Sequence, residues 1–447
     1  MRILLHRGIV VLSCLILLGC VDDEIIFHPI ADQEQLFKER ITDLFGNTKI
    51  LVLPGVQELY KIPADFRNEL SSDKIILGQL LFHETGLALN PKNEIGRGTY
   101  SCSSCHIAAS GFQSGMQQGM AEGGLGFGFR GENRIMNPEY HPDSVDVQPI
   151  RVPTILNAAF QQVVLWNGQF GANGLNAGTE AHWTEGTPKA TNHLGFDGLE
   201  TQAIAGLGVH RMVIDTAMIK NGPYKQLFDQ AFPDSPESDR YSRLNAGLSI
   251  AAFVRTVLAT EAPFQKMLRG ESHTMTEEEF KGAFLFYGKA QCYQCHSGPG
   301  MNGMDFHALG MNDLSGNRVI GQVDEATKKG RGGFTNNAAD DFKFKTPPLY
   351  NLRDVSFFGH GGSFTSVREV IEYKNAGTAQ NTEVPSDQLS SLFTPLNLSD
   401  EEIDQLTLFI ENALHDPNLN RYVPEATPMG NCFPNADAQS KIDLGCE

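Results

Sequence analysis

Two copies of the pattern Cys-x-x-Cys-His constrain this chain more than any other feature. Two thiols at this spacing, followed at once by histidine, form the attachment signature of a c-type haem. Each thiol adds to one vinyl group, and the adjacent imidazole becomes the proximal ligand of the iron. A single copy would also suit a redox pair or half of a zinc site. The repeat therefore predicts two covalently bound haems, held by Cys102, Cys105 and His106 and by Cys292, Cys295 and His296.

The N-terminus has the pattern of an export signal. A basic start leads into an apolar run that ends at Gly19-Cys20 and is too short to span a membrane. A small residue followed by cysteine resembles a bacterial lipoprotein cleavage site. We therefore expect residues 1–19 to be a signal peptide and Cys20 to be lipidated, with ordinary cleavage nearby as the alternative. The mature protein is then periplasmic and anchored to a membrane, and Val21 after the cysteine favours the outer membrane.

The eight cysteines divide without remainder. Cys14 lies in the signal, Cys20 takes lipid, and four hold haem. Cys432 and Cys446 remain in a tail rich in proline, asparagine and glycine. An oxidising compartment allows them to form a disulfide, which we therefore predict.

The formal net charge of −18 makes the protein a poor binder of nucleic acid. An acidic surface suits a basic partner, such as a small electron-carrying cytochrome. Solubility alone explains the charge equally well.

Apolar spacing predicts a mainly helical chain with extended glycine-rich loops and almost no strands. Helices are expected at 33–45, 74–82 and 244–258, and after two capping boxes, Thr276 with Glu279 and Ser399 with Glu402. The tail beyond Asp416 has no regular pattern. The expected division is a signal peptide (1–19), a tether and peripheral segment (20–65), an N-terminal haem domain (66–265), a C-terminal haem domain (266–416) and a disulfide-bearing tail (417–447).

In this order the segments resemble the bacterial di-haem cytochrome c peroxidase family, which also contains the methylamine-utilisation di-haem enzymes. The similarity spans about 75–414. It implies two tandem cytochrome c-like helical domains with one haem each. The C-terminal haem accepts electrons from a small donor, and the N-terminal haem reduces hydrogen peroxide to water. The resemblance rests on both haem motifs and on segments 152–158, 165–168, 202–203, 306–307 and 346–364.

The resemblance also implies roles for single residues. It makes His106 the proximal ligand of the peroxidatic iron and His296 that of the electron-entry iron. It places Trp166 between the haems, as a route for electrons, and Gln202 near the peroxide pocket. The structural alternatives are a packed core aromatic for Trp166 and a surface amide for Gln202.

Two departures concern the peroxide pocket. The family's resting peroxidases often carry a histidine in the loop after the first motif, but loop 111–131 has none. The peroxidatic iron is then open without reductive activation, unless Met116 or Met120 fills the position.

The family's pocket glutamate is also missing, and the sequence there includes His210 and Arg211. Cleavage of peroxide needs a proton acceptor and stabilisation of the developing charge. We expect His210 to be the acid–base and Arg211 the charge stabiliser. The alternative is an ordinary histidine beside an arginine that binds a haem propionate.

Two further departures concern the second haem and the domain interface. The family's distal methionine, a tyrosine in the methylamine-utilisation enzyme, falls on Lys374 when counted from His360, with Tyr373 just before it. Both stay open as ligands. The family's interdomain calcium is held partly by an asparagine that aligns with Arg151. Arg151 would supply a positive charge itself, which leaves calcium doubtful.

Three functions follow from this pattern. The first is a lipid-anchored periplasmic peroxidase that reduces hydrogen peroxide with electrons from a small cytochrome c or cupredoxin. The second is oxidation of a protein or peptide substrate, which the missing methionine and loop histidine favour. The third is a non-catalytic di-haem electron carrier, which needs strong ligands on both sides of each iron. The donor and the oligomeric state, a homodimer included, stay open.

Overall fold

The computed structural model describes residues 30–446, which are mainly helical as expected, so the signal peptide and Cys20 lie outside the described residues. Two antiparallel ladders are the only paired strands in this range, β1 (Gly124–Leu125) with β2 (Ile135–Met136) and β3 (Phe306–His307) with β4 (Phe344–Lys345). No helix in 30–446 is long and apolar enough to cross a membrane. The α-helices are α1 (Ile30–Phe45), α2 (Ser72–His83), α3 (Gly198–Val209), α4 (Thr216–Asn221), α5 (Lys225–Ala231), α6 (Glu237–Arg240), α7 (Arg243–Arg255), α8 (Pro263–Leu268), α9 (Glu277–Phe286), α10 (Glu325–Lys328), α11 (Arg331–Thr335), α12 (Val367–Ala376), α13 (Asp400–Leu408) and α14 (Ala438–Leu444).

Both predicted capping boxes are present. Before α9 the Thr276 amide donates to Glu279 Oε2 over 2.7 Å, and the Glu279 amide donates back to Thr276 Oγ1. Ser399 and Glu402 form the same pair before α13. Each side chain satisfies an amide that the first helical turn leaves without a partner. The caps therefore define where both helices begin.

Each haem motif follows a helix that crosses a later helix at a glycine. A Cβ on Gly78 of α2 would stand 1.8 Å from the Ser249 carbonyl oxygen of α7. In the second half, a Cβ on Gly282 of α9 would stand 2.1 Å from the Gln405 carbonyl oxygen of α13. Only glycine permits such an approach of two backbones. The two halves thus share a packing arrangement that their sequences repeat only weakly.

A buried ion pair fixes α3 to α7. Arg255 donates to both carboxylate oxygens of Glu200, over 2.9 and 2.6 Å, and both side chains are nearly inaccessible to solvent. The amide of Asn68 adds a hydrogen bond to Glu200 over 3.1 Å. Because α3 carries Gln202 and ends beside His210, this pair helps to set the position of both side chains.

The two ends of the described chain pack on opposite halves of the molecule. Phe37 of α1 is wholly buried and packs against Phe264, Phe280 and Tyr287, close to the second motif. The expectation that 20–65 is only a tether and peripheral segment is therefore wrong for α1. Its apolar face is part of the core.

The C-terminal tail covers the first motif. The carbonyl oxygen of Pro434 accepts hydrogen bonds from Ser101 Oγ and Ser104 Oγ, each over 3.0 Å. Cys432 and Cys446 are joined as a disulfide. The tail beyond Asp416 is not wholly irregular, because the Asp437 carboxylate accepts from the Ser440 amide and begins α14. The expected boundary between the two haem domains, at 265/266, lies within α8.

Candidate active site

The first motif lines a narrow cleft of about 120 Å³, here called the first-motif cleft. Its thiols carry no disulfide. Apolar residues of α3 and α7 form much of the wall, and Gln202 and His210 line it as well. The residues that bear the chemistry are Cys102, Cys105, His106, Gln202 and His210.

His106 is oriented as a proximal ligand requires. Its Nδ1 donates to the Phe112 carbonyl oxygen over 3.1 Å, and Phe112 adopts φ = 55° in the turn after Gly111. This hydrogen bond sets the tautomer and leaves Nε2 free for a metal. Burial lowers the pKa of His106 to about 4, so the imidazole is neutral at pH 7, the form that binds iron.

The second motif repeats this arrangement at a cavity of about 560 Å³, the second-motif cavity. His296 Nδ1 lies 3.2 Å from the Met301 carbonyl oxygen and 3.1 Å from that of Pro347, which again leaves Nε2 free. Burial lowers the pKa of His296 to about 4. Each motif thus presents two unpaired thiols and one neutral imidazole to a cavity. These residues fit two c-type haems.

His210 has a carboxylate partner that the sequence did not reveal. Its Nδ1 lies 2.8 Å from Asp146 Oδ2, and Asp146 itself does not line the cleft. Burial alone lowers the pKa of His210, but the facing carboxylate raises it more, so the pKa lies above its ordinary value. A catalytic imidazole is commonly held by such a carboxylate. No spacing in the sequence pointed to Asp146.

Gln202 and His210 converge on the same part of the cleft. They flank Gly206 of α3, where an added Cβ would stand 3.3 Å from Gln202 Nε2 and 4.0 Å from His210 Cδ2. The glycine therefore leaves open the space between an amide donor and an imidazole.

Arg211 does not line the first-motif cleft, which corrects its expected role. The chain turns there at φ = 56°, and the guanidinium pairs with Glu122 and donates to the Ser144 carbonyl oxygen over 2.9 Å. Glu122 is wholly buried and also accepts from Tyr140 Oη over 3.0 Å. With its guanidinium directed at Glu122, Arg211 is suited neither to stabilising charge in the cleft nor to binding a propionate there.

The loop after the first motif brings no ligand into the cleft among the described residues. Met116 and Met120 are buried but do not line it. The methionine that does line it is Met212, from the segment after α3, which the sequence analysis did not single out as a ligand. Met212 is thus the alternative to an open coordination position.

Lys374 and Tyr373, although adjacent in the chain, have different surroundings in the structure. Lys374 lines the second-motif cavity, on the same face of α12 as Val367, Val370 and Ile371. This is the helical spacing i, i+3, i+4 and i+7, and it could have been read from the sequence. Burial lowers the pKa of Lys374 to about 8, which eases loss of the proton that ligation requires.

Tyr373, in contrast, does not line the second-motif cavity. The Tyr373 hydroxyl donates to the Leu309 carbonyl oxygen, and its ring packs between Phe364 and Phe393. Met311 also lines the cavity, although no methionine lies near Lys374 in sequence. Of the two residues expected from the sequence, Lys374 therefore lines the cavity and Tyr373 does not, and Met311 is a further candidate for the distal ligand.

Trp166 lies beside the partition between the two cavities. It lines the second-motif cavity, and the preceding residue, Leu165, lines both. Its indole Nε1 donates to the Arg151 carbonyl oxygen over 2.7 Å, and the Lys345 amide donates to the Trp166 carbonyl oxygen over 2.8 Å. Trp166 thus lies in the wall of the second-motif cavity, next to a residue that both cavities share, and its role between the haems stays a prediction.

The residues around Arg151 do not fit calcium. The guanidinium is buried, donates to the Phe357 carbonyl oxygen over 2.8 Å and to Gln113 Oε1 over 2.6 Å, and would repel a cation. Calcium binds through six to eight oxygen ligands, usually with carboxylates among them. Residues 30–446 contain no group of three or more histidine, cysteine, aspartate or glutamate side chains placed to hold a metal ion.

Comparison with known proteins gives consistent matches. The model of the di-haem cytochrome c peroxidase family matches residues 72–273. Cytochrome-c peroxidase IdrP1 of Pseudomonas sp. (strain SCT) is 27% identical over 406 residues, 84% of this chain and 92% of that protein. The methylamine utilization protein MauG of Methylorubrum extorquens is 27% identical over 359 residues, 80% of this chain and 82% of that protein.

Among solved structures, a MauG-like protein associated with microbial copper homeostasis has a similar fold. The TM-score is 0.55 at 23% identity, over 82% of this chain and 95% of that chain. At this identity the likeness concerns the fold alone.

Proposed function

Because this chain belongs to the di-haem cytochrome c peroxidase family, we propose that it reduces hydrogen peroxide to water with electrons from a small cytochrome c or cupredoxin. The observation that carries the proposal is that His210, held by Asp146, lines the same cleft as His106. We further propose one haem in each half of the chain, the first peroxidatic and the second receiving electrons. Export and a lipid anchor at Cys20 complete the proposal.

The chemistry needs two protons and two electrons for each peroxide, which then leaves as two water molecules. When bound, the first haem would supply the iron that reduces peroxide, and the second would supply an iron that receives electrons and passes them on. Asp146 holds the proton of His210 on Nδ1, so Nε2 is available as a base. Nε2 takes a proton from the peroxide and returns it to the oxygen that leaves. Gln202 donates a hydrogen bond to that same oxygen as charge develops on it.

Electron paramagnetic resonance of the as-isolated diferric protein tests the function. We expect a high-spin signal from one haem that disappears with stoichiometric peroxide, without prior reduction, together with steady turnover of a reduced donor. Two low-spin signals that peroxide leaves unchanged, even in half-reduced protein, would show a carrier instead. A low-spin first haem that becomes high-spin in the Met212→Leu variant would show that Met212 closes the site at rest.

A second candidate function is oxidation of a protein or peptide substrate, the alternative raised by the resemblance to the methylamine-utilisation di-haem enzymes. The absence of a methionine at position 374 favours it. A long-lived product of the peroxide reaction, with no turnover of a reduced small donor, would support this candidate over the first.

We propose Lys374 as the distal ligand of the second haem. The Lys374→Met variant is expected to raise the reduction potential of that haem, because thioether ligation raises the potential of a c-type cytochrome. The matched control is Tyr373→Phe, which should leave the spectrum unchanged because Tyr373 does not line the cavity and its hydroxyl donates to the Leu309 carbonyl oxygen. If Met311→Leu alters the near-infrared spectrum and Lys374→Met does not, Met311 is the ligand.

Asp146→Asn is expected to shift the pH profile of the peroxide reaction. His210 must be neutral to take a proton, so kcat/KM rises with pH through its pKa, which Asp146 holds above its ordinary value. Removal of the carboxylate charge lowers that pKa, and the rising limb moves to lower pH. Asp143→Asn removes an exposed carboxylate three residues away and serves as the control. Superimposable profiles for the Asp146→Asn variant and the wild type would contradict the assignment.

A further inference from the structure

Two buried cations near Trp166 differ from the other buried cations of the described chain in what surrounds them. Arg134 is paired with Asp437 over 3.1 Å, and Arg255 is paired with Glu200 over 2.6 Å. Arg151 and Lys345 are buried to a similar degree, 1% and 6% exposed. Neither takes part in an ion pair with any carboxylate of residues 30–446.

The polar contacts of these two cations are also incomplete. Nη1 of Arg151 has no hydrogen-bond partner, and the one side-chain partner of the Lys345 ammonium is Gln161 Oε1. Arg331 is likewise buried without an ion pair. However, it donates to the backbone carbonyl oxygens of Gly168 and Leu175 and to the Asn176 side chain. Among the fully buried arginines and lysines of residues 30–446, the deficit is therefore particular to Arg151 and Lys345; Lys374, the proposed distal ligand, is only partly buried.

Both cations lie at one place. Each lines the second-motif cavity, and each is linked through its backbone to Trp166. Burial lowers the pKa of Arg151 to about 9 and that of Lys345 to about 7. A buried charge is costly unless an opposite charge or several hydrogen bonds compensate it. The two buried cations therefore predict that an anion binds in the cavity.

We propose that Arg151 and Lys345 bind the propionate carboxylates of the haem attached at Cys292 and Cys295, and so hold a fixed positive charge beside Trp166. The proposal rests on the proposed second haem, whose two carboxylates are the anionic groups that this cavity would receive. Two positive charges in this cavity would stabilise the reduced form of the haem that it holds, by Coulomb attraction. They also supply a charge between the two cavities without calcium.

Potentiometric titration of the holoprotein, followed by the absorption of the second haem, tests the proposal. Lys345→Met keeps the length of the side chain and removes the charge. It is expected to shift the reduction equilibrium at least tenfold toward the oxidised form, which is about 59 mV for one electron. Lys345→Arg should retain the wild-type potential. Arg151→Met should shift it in the same direction as Lys345→Met.

The matched control is Lys343→Met, which makes the same change of charge two residues away, at a side chain that does not line the cavity. Equal shifts for Lys343→Met and Lys345→Met would overturn the proposal, because they would reflect net charge alone. So would an unchanged potential in a Lys345→Met protein that retains both haems. A Lys345→Met shift that vanishes when chloride or phosphate is removed would assign the cations to a free anion. Failure of the wild-type chain to attach haem at the second motif would instead overturn the proposed function.

Discussion

Replacement of His210 by glutamine is expected to lower kcat/KM for hydrogen peroxide by about 10²- to 10⁴-fold, the usual contribution of a positioned acid–base group. Glutamine can form a hydrogen bond but cannot take a proton from peroxide at neutral pH. Because His210 is not a residue of either haem motif, both haems should still attach. The loss is measured from the rate of the peroxide reaction in stopped flow, which excludes effects on the electron donor.

The control is His141→Gln, at an exposed histidine outside the cleft, and its rate should stay within twofold of the wild type. An unchanged kcat/KM in a His210→Gln protein that retains both haems would remove this residue from the mechanism. Glu122 and Arg211 would not replace it, because their charges face each other and not the cleft.

Arg255→Met is expected to lower the free energy of unfolding by about 3–5 kcal/mol, because it leaves the Glu200 carboxylate buried without its cation. Domains are typically stable by about 5–15 kcal/mol, so such a loss is large. It is measured by urea unfolding followed by circular dichroism. The double variant Arg255→Met/Glu200→Leu should recover most of the loss, since no charge then remains buried at this position.

The control is Lys220→Met, which breaks an exposed pair with Glu237 and should leave the free energy of unfolding close to that of the wild type. If Arg255→Met costs no more than this control, the pair does not hold α3 in place. A double variant less stable than Arg255→Met would count against the buried charge as the cause.

The features that the sequence predicted are those encoded by local spacing. The two haem motifs and the capping boxes at Thr276 and Ser399 each lie within a few residues, and each was found as expected or fits its cavity. The features that the sequence did not predict depend on contacts between residues that lie far apart in the chain. Asp146 lies 64 residues before His210, and Glu122 lies 89 residues before Arg211. No local pattern joins residues at such separations.

The choice between Tyr373 and Lys374 could be predicted only in part from the sequence. Adjacent residues of a helix point about 100° apart, so only one of them can share the face of Val367 and Ile371. The spacing was available in the sequence, but which face meets the cavity was not. Met311 was also not predicted, because it lies 63 positions before Lys374 in the sequence and only the fold brings both residues to the second-motif cavity.

The packing of the C-terminal tail on the first motif has a consequence for the order of folding. A chain emerges from its synthesis N-terminus first, and early segments usually fold before later ones. Here Ser101 and Ser104 donate hydrogen bonds to the carbonyl oxygen of Pro434, which is synthesised 333 and 330 residues later, respectively. Cys102 and Cys105 therefore stay without their C-terminal cover until the second half exists. We expect this interval to leave both thiols accessible for the proposed attachment of haem, and we expect the C-terminal tail to cover the site afterwards.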